Sequence, residues 1–569
     1  MMTQETGFLK AFEVFRKICA FLKDAHRDGL RLDQAERTLQ AYLAEQGRVF
    51  LEEYVAVAGD GDVGETVTCE GHVLQRSETP QSRRYLSIFG ELGIPRYVYS
   101  AGAKKPIEYV PLDARLGLPA GEISYVLEDY QQRLCVKSPF AKGMEDLKAI
   151  LGTAASVATA ERMSQQLAGF AQGYHLSGLT EERTPAPAEE GELLVVAADG
   201  KGVPMRHTLE QRLQAEREAA TQARPESAQE SSSETAPCPP TPDVARVAPP
   251  GEEKVPVSAS PPAFSDAKAC RRSAGRQRRR RRSRKAQPDN KSRREKPGNK
   301  QMAYVGAVYT IDRFPRTADD VLDEIARRER QKERPRPQHK HVWGEMTQLE
   351  EGERIDGRSL LFVELAVQCH YRDPEHQKTL ICLIDGEEPL WAAQAEWLER
   401  AVPILDFFHA MEHLWKVVAM FHQGRAAEAF VEHHARMFLE GKVDYAVRNM
   451  GQLLRKRKLR GKRAAEVERG MGYFRHNRDR MHYDQYLAQG YPIGSGMAEG
   501  TCRNLVKDRL ELSGMKWEHM GAQAMIYLRA LYLSEEWEPF INYRIEREQK
   551  QLYGQATIYG KLTPYGQAA

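Results

Sequence analysis

Two unbroken apolar runs, each ending on Asp-Gly, constrain this chain more than any other feature. Leu193-Leu-Val-Val-Ala-Ala198 runs into Asp199, and Leu380-Ile-Cys-Leu-Ile384 runs into Asp385. A short apolar run without polar alternation reads as a buried central strand. Gly200 and Gly202 are expected to stop the first strand just after its acid. A single Asp-Gly is an ordinary turn. Two of them at the tips of parallel, adjacent strands would set two carboxylates side by side at one sheet edge. Such a pair repels itself unless a cation intervenes. Mg²⁺ suits that place, because it favours carboxylate oxygens together with substrate phosphate.

A third acid comes from Pro492 to Arg509. Gly494 and Gly496 give a flexible lead-in, and the following helix is expected to carry Glu499, Arg503 and Lys507 at i+4 spacing on one face. Alone this is a salt-bridged helix; beside two aspartates it offers a third carboxylate with cations behind it. Val402 to His409 reads as another strand, carrying Asp406 and His409. With Met302–Ile311 returning between the two acidic strands, the order is that of a mixed α/β sheet.

Charge and composition narrow the partners. The 569 residues leave room for about three to four domains. No apolar run approaches the roughly 20 residues that span a bilayer, and the start lacks the basic-then-apolar order of a secretory signal, so no membrane association is expected. Eight cysteines without a CxxC pair point to reduced thiols and a cytoplasmic setting. The net charge of +3 hides an asymmetry: residues 271–300 hold 15 Lys and Arg against Asp289 and Glu295, a net +13, which leaves −10 for the rest. The stretch around them, rich in Pro, Ser and Glu before Arg278, Arg279 and Arg280, cannot bury a core and reads as a disordered insertion. Its basic tract suits salt-sensitive contact with phosphates, or no defined partner.

Before the first acid the pattern changes twice. Phe8, Phe12, Phe15, Cys19 and Leu22 share a helical face, and a second amphipathic helix follows from about Asp33 to Val57. Strands are expected at Thr66–Cys69, Tyr85–Phe89 and Arg96–Tyr99, the last two joined by Gly-Glu-Leu-Gly as a hairpin. Cys69 and His72 have the spacing of a zinc-ligand pair, but no second pair follows; a packed Cys beside a surface His fits as well. Residues 119–173 are helical. Met144–Leu151, a Gly152-Thr153 turn and a helix from the N-cap Ser156 to Leu167 resemble a helix-turn-helix. Its second helix would present Thr159, Arg162, Gln165 and Gln166, and Arg and Gln suit base edges in a major groove. Helix pairs of this kind also occur in proteins that never touch DNA.

The segments VVAADGKGVPM, YVGAVYTID, LIDG, LDFFHAMEHLWK and IGSGMAEGTCRNLVKDR, with FGELGIPRYVY, YVPLDARLGLP and LRALYLSEEWEPF, resemble the ISKra4 family of insertion-sequence transposases, related to the IS256 and Mutator-like groups. The resemblance spans most of the chain. It implies an RNase H-like catalytic core with an all-helical insertion, preceded by an α+β N-terminal DNA-binding region. The parts would be 1–60 helical, 61–118 β-rich, 119–185 helix-turn-helix-like, 190–205 with 301–410 the core, 206–300 the insertion, 411–489 the helical insertion domain, 490–545 the core helices with the third acid, and 546–569 a tail. By motif, the catalytic and metal-binding triad falls on Asp199, Asp385 and Glu499, and a Cys/Asp-x-x-His motif on Asp406 and His409. The long insert after the first acidic strand departs from the pattern, although YVGAVYTID beyond it is intact.

The implied activity is metal-dependent DNA strand cleavage and strand transfer. Two Mg²⁺ ions, with Mn²⁺ a substitute, would lie roughly 3.5–4 Å apart between the carboxylates. The implied partners are the terminal inverted repeats, target DNA and further copies of the chain on paired ends. Arg503 and Lys507 would position phosphates. Two rivals belong to other classes. One is a DNA-binding protein without catalysis. The other is a zinc peptidase built on His409-Ala-Met-Glu412-His413, which fits HxxEH but leaves the acidic strands and basic tract without a role.

Overall fold

Leu193 through Ala198 are at most 1% exposed, because both faces of this run are apolar and both are covered. Burying one such Leu or Val side chain stabilises by about 1.5–3 kcal/mol. In the computed structural model, which describes residues 8–69, 71–102, 104–178, 185, 190–206, 300–326, 333–350, 353–494, 496–512 and 514–554, the run opens strand β1 (Leu193–Pro204). The remaining strands of its sheet are β2 (Lys300–Ile311), β3 (Gln338–Met346), β4 (Thr379–Ile384) and β5 (Val402–Leu405). The five lie in the order β5–β4–β1–β2–β3. β4 is parallel to β1 and β5 to β4, whereas β2 is antiparallel to β1 and β3 to β2. The chain is thus mixed α/β with a mixed sheet.

Three expectations about these strands need correction. β1 does not stop at Gly200. It continues to Pro204 because β2 keeps pairing with it, Asp199 opposite Val305 and Gly202 opposite Met302; only the pairing with β4 ends at Ala198. β5 ends at Leu405 rather than His409, because the Asp406 carboxylate accepts from Phe408 N (2.7 Å) and His409 N (3.3 Å) and caps the helix Phe407–Val418. The third correction is β3 itself, which lies where only a Pro-rich loop and the approach to a helix were expected.

Helices cover both faces of the sheet. In the β2–β3 register Gly306 faces Trp343 and Val305 faces Gly344, so the two glycines look to opposite sides. A Cβ at Gly306 would meet Leu365 of the helix Gly357–Arg372 at 2.7 Å; one at Gly344 would meet Ile526 of the helix His519–Leu533 at 2.7 Å. Residues 407–488 are helical, in Phe407–Val418, Arg425–Leu439, Val443–Lys456, Gly461–His476 and Tyr483–Ala488. The polar helix expected to reach Lys332 spans Ala318–Ile325, capped by Thr317. Residues 327–332 lie outside the described residues, as does the insertion with Arg278, Arg279 and Arg280. The helix Trp537–Tyr553 takes in the start of the expected tail, held where Tyr553 Oη donates to Leu118 O at 2.7 Å.

The N-terminal part pairs the helices Leu9–Arg27 and Leu32–Ala58. Its buried face is Ala11, Val14 and Ile18, not the aromatic one: Phe12 is 62% and Phe15 57% exposed. Thr66–Cys69 and His72–Arg76 form a hairpin, so Cys69 and His72 are register partners at its corner. The next hairpin pairs Gln81–Ser87 with Gly90–Arg96, placing Gly-Glu-Leu-Gly inside a strand instead of at the turn. The helix-turn-helix-like pair is Phe140–Leu151 and Val157–Ala168, with left-handed Gly152 (φ 75°) between them and the Ser156 hydroxyl accepting from Thr159 N at 3.1 Å. No described helix is long and apolar enough to cross a membrane.

Candidate functional site

Strand register alone lines up three acids. Ala198 pairs with Ile384, and Ile384 with Leu405. The next residues, Asp199, Asp385 and Asp406, therefore take successive places across three neighbouring parallel strands, whose spacing is about 4.8 Å. Gly200 N donates to Asp199 Oδ1 at 2.6 Å and Glu387 N to Asp385 Oδ1 at 3.1 Å. Asp406 is only 6% exposed and caps its helix, so its carboxylate does different work from the other two.

The turn after Asp385 is fixed by Gly386. Its φ of 100° suits glycine, and a Cβ there would meet Tyr473 Oη at 2.7 Å and Leu405 Cδ1 at 3.0 Å. Tyr473 Oη in turn donates to Asp385 O at 2.8 Å. Gly386→Ala is expected to destabilise the fold by about 1–3 kcal/mol, read as a lower urea midpoint with an unchanged slope.

Burial, and then the Asp199 charge, push the Asp385 carboxyl above its ordinary range; the hydrogen bond from Glu387 N, and after it His409, act in the opposite sense. Glu387 is raised by burial and then by Asp385 and Asp199. An acid whose pKa folding raises stabilises the fold below its unfolded value, 3.8 for this Asp, and that contribution is lost as pH rises through the raised value. Without divalent cations the protein should therefore lose stability across that window. Asp385→Asn, which cannot ionise, should remove this dependence and raise Tm at neutral pH by about 1–2 °C, measured by a pH series of thermal melts.

The helix Gly496–Cys502 packs against β1 and β2. At its start, Ile493 O accepts from Phe407 N at 2.8 Å, tying the lead-in to the end of β5. At its end, burial and then the Asp199 carboxylate push the pKa of the buried Cys502 thiol well up, which puts this end of the helix beside Asp199. Position 499 lies between these anchors, one turn before Cys502; the Glu499 side chain is outside what the structure describes. Beyond Cys502 the helix does not continue as a regular α-helix. Residues Arg503–Lys507 form a π-helical turn, which changes the register, with Leu505 and Val506 buried while Arg503 and Lys507 are exposed.

Among the described residues, a single trio of His, Cys, Asp or Glu side chains brings its ligand atoms within 4.8 Å of one another: His175, His341 and Glu364. Neither the HxxEH residues nor Asp199, Asp385 and a third described acid come that close. His413 of HxxEH stacks face-on against Tyr473, centroids 3.8 Å apart, and burial lowers it to about 4.

Arg162, Gln165 and Gln166 are exposed, and Thr159 is half-buried. Arg162 and Gln166 line a cleft of about 1080 Å³ shared with Arg84 and Arg544; Gln165 lines a separate one. The larger cleft is not simply basic, since Arg544 pairs with Glu128 and Glu548 and Arg84 with Glu91 and Glu122. Sequence reasoning missed Glu387, Tyr473 and Cys502 at the acidic edge. Cys502 had a signal, three residues after Glu499 on a helix; Tyr473, from 88 residues beyond Asp385, had none. Compared with protein-family models and with curated proteins, the chain matches none of them.

Proposed function

We propose that this chain is a DDE transposase of the ISKra4 type, with an RNase H-like core, which binds the ends of its element and cleaves and joins DNA strands. The observation that carries the reading is the register that sets Asp199 and Asp385 side by side on adjacent parallel strands. Burial first, and then the neighbouring Asp199 charge, raise the Asp385 carboxyl, and a divalent cation between the two carboxylates would relieve their repulsion. Asp199, Asp385 and Glu499 would hold Mg²⁺ or Mn²⁺. When bound, two such ions lower the pKa of an attacking water or 3′-hydroxyl and neutralise the departing 3′-oxygen of the phosphodiester.

The chain's own groups make that edge rigid. Asp199 is held by the β1–β2 ladder, Asp385 by its turn and the Tyr473 bond, and the third acid's helix by Ile493 at one end and Cys502 at the other. Asp406 acts as a positioning residue, holding His409 in the first turn of its helix beside the acids. Arg503 and Lys507, exposed on the π turn, would take phosphates, and Arg162, Gln165 and Gln166 base edges. Paired ends imply a homo-oligomer, and the nucleoid of a bacterial cytoplasm is the setting. The test is a duplex carrying the element's own ends, incubated with the full chain. Nicking in Mg²⁺ or Mn²⁺ but not in EDTA is expected; binding without cleavage under all three conditions would leave only a DNA-binding protein.

A further inference from the structure

We infer a second metal site, unrelated to the acidic edge, in which His175, His341 and Glu364 hold a structural Zn²⁺ or a similar borderline cation. The three come from different elements: His175 from the helix Ala171–Gly178, His341 from the edge strand β3 and Glu364 from the helix Gly357–Arg372. One ligand atom of each lies within 4.8 Å of the others. Both histidines are buried, at 5% and 7% exposed. His175 Nε2 contacts Glu364 Oε1 directly.

A plain His–Glu ion pair would explain that contact but not His341. Its Nδ1 lies 3.5 Å from Glu536 Oε1, while its buried Nε2 has no hydrogen-bond partner among the described residues. An orphaned ring nitrogen in such a place is costly, and a Lewis-acidic cation is what its lone pair would satisfy. A carboxylate on the other ring nitrogen is the usual way a ligating histidine is oriented. Two imidazoles and a carboxylate are a donor set that suits zinc. A fourth ligand is within reach: Gln368 Nε2 lies 3.4 Å from both His175 Nε2 and Glu364 Oε1, and a half-turn of its amide presents Oε1 instead. Trp343 stacks on His175 with centroids 4.3 Å apart and walls the group in. A cation here would pin the helix Ala171–Gly178 to the edge strand β3.

The test uses the full chain stripped of metal, then dialysed against Zn²⁺ and titrated with Co²⁺. One Zn²⁺ per chain that survives in Asp385→Asn is expected, together with a visible Co²⁺ band of nitrogen and oxygen ligation lacking thiolate charge transfer, and a Tm that rises with Zn²⁺. His341→Gln should weaken binding by about 100-fold and Glu536→Gln by about 10-fold. Glu364→Gln, nearly the same shape, covers the case in which a histidine variant fails to fold. No bound Zn²⁺ in the wild-type chain, or binding unchanged in both His341→Gln and Glu364→Gln, would overturn the site. Neither result depends on DNA cleavage.

Discussion

Asp385→Asn is expected to bind element-end DNA within about 2-fold of the wild-type chain while its Mg²⁺-dependent nicking falls by about 10³-fold or more. The substitution keeps the shape and leaves an oxygen to accept from Glu387 N, so the turn at Gly386 and the β4 register have no reason to move. What it removes is the negative charge beside Asp199. A reaction held together by divalent cations at this edge cannot tolerate that loss, whereas the proposed DNA contacts through Arg162 or Lys507 would be untouched. Gel shift and strand nicking on the same duplex, read together, separate the two roles. Nicking that persists in Asp385→Asn would remove the catalytic assignment; loss of binding along with nicking would point to misfolding, which a melt would reveal.

Arg529→Met is expected to destabilise the chain by about 3 kcal/mol or more. The Arg529 guanidinium is buried, which lowers its pKa to about 10, and it donates to three carbonyls: Leu505 O at 2.9 Å, Val136 O and Asn504 O. Those acceptors come from the π turn after the third acid and from the N-terminal helical part, so a single side chain joins the two. Each acceptor left bare in the interior costs about 1–3 kcal/mol. Arg529→Lys keeps a charge but cannot fork to three carbonyls, and its loss should fall in between. Urea unfolding gives the magnitude. Neighbouring Arg509, its guanidinium 5.0 Å from the centroids of both the Phe140 and Trp517 rings, still supports the junction, so early proteolysis near residues 136–140 should report local opening rather than global collapse.

What could be read in the sequence follows from how each element hides its signal. β1 and β4 were legible because both faces are buried, so the apolar run is unbroken, and their parallel adjacency followed from the matching Asp-Gly ends. β3 was not legible, because its buried positions include His341 and Glu345, polar residues that break the apolar pattern. Glu345 is held at about 7 by burial. In the first helix the phenylalanines made the more conspicuous stripe, yet small residues, Ala11 and Val14, let its neighbour approach. The cap at Asp406 looked like more strand because Phe407 and Phe408 suit either state. The π turn at Arg503–Lys507 leaves no local trace in the sequence, where the stretch reads as one continuous α-helix.

The central claim is spatial: Asp199, Asp385 and Glu499 share divalent cations. Crystals of the chain grown with Mn²⁺ and an element-end duplex, measured at the manganese absorption edge, test it most directly. The account predicts anomalous peaks within about 2.0–2.3 Å of oxygens from Asp199 and Asp385, with a Glu499 oxygen bound to one of them. Manganese bound elsewhere, with those carboxylates holding none, would contradict it.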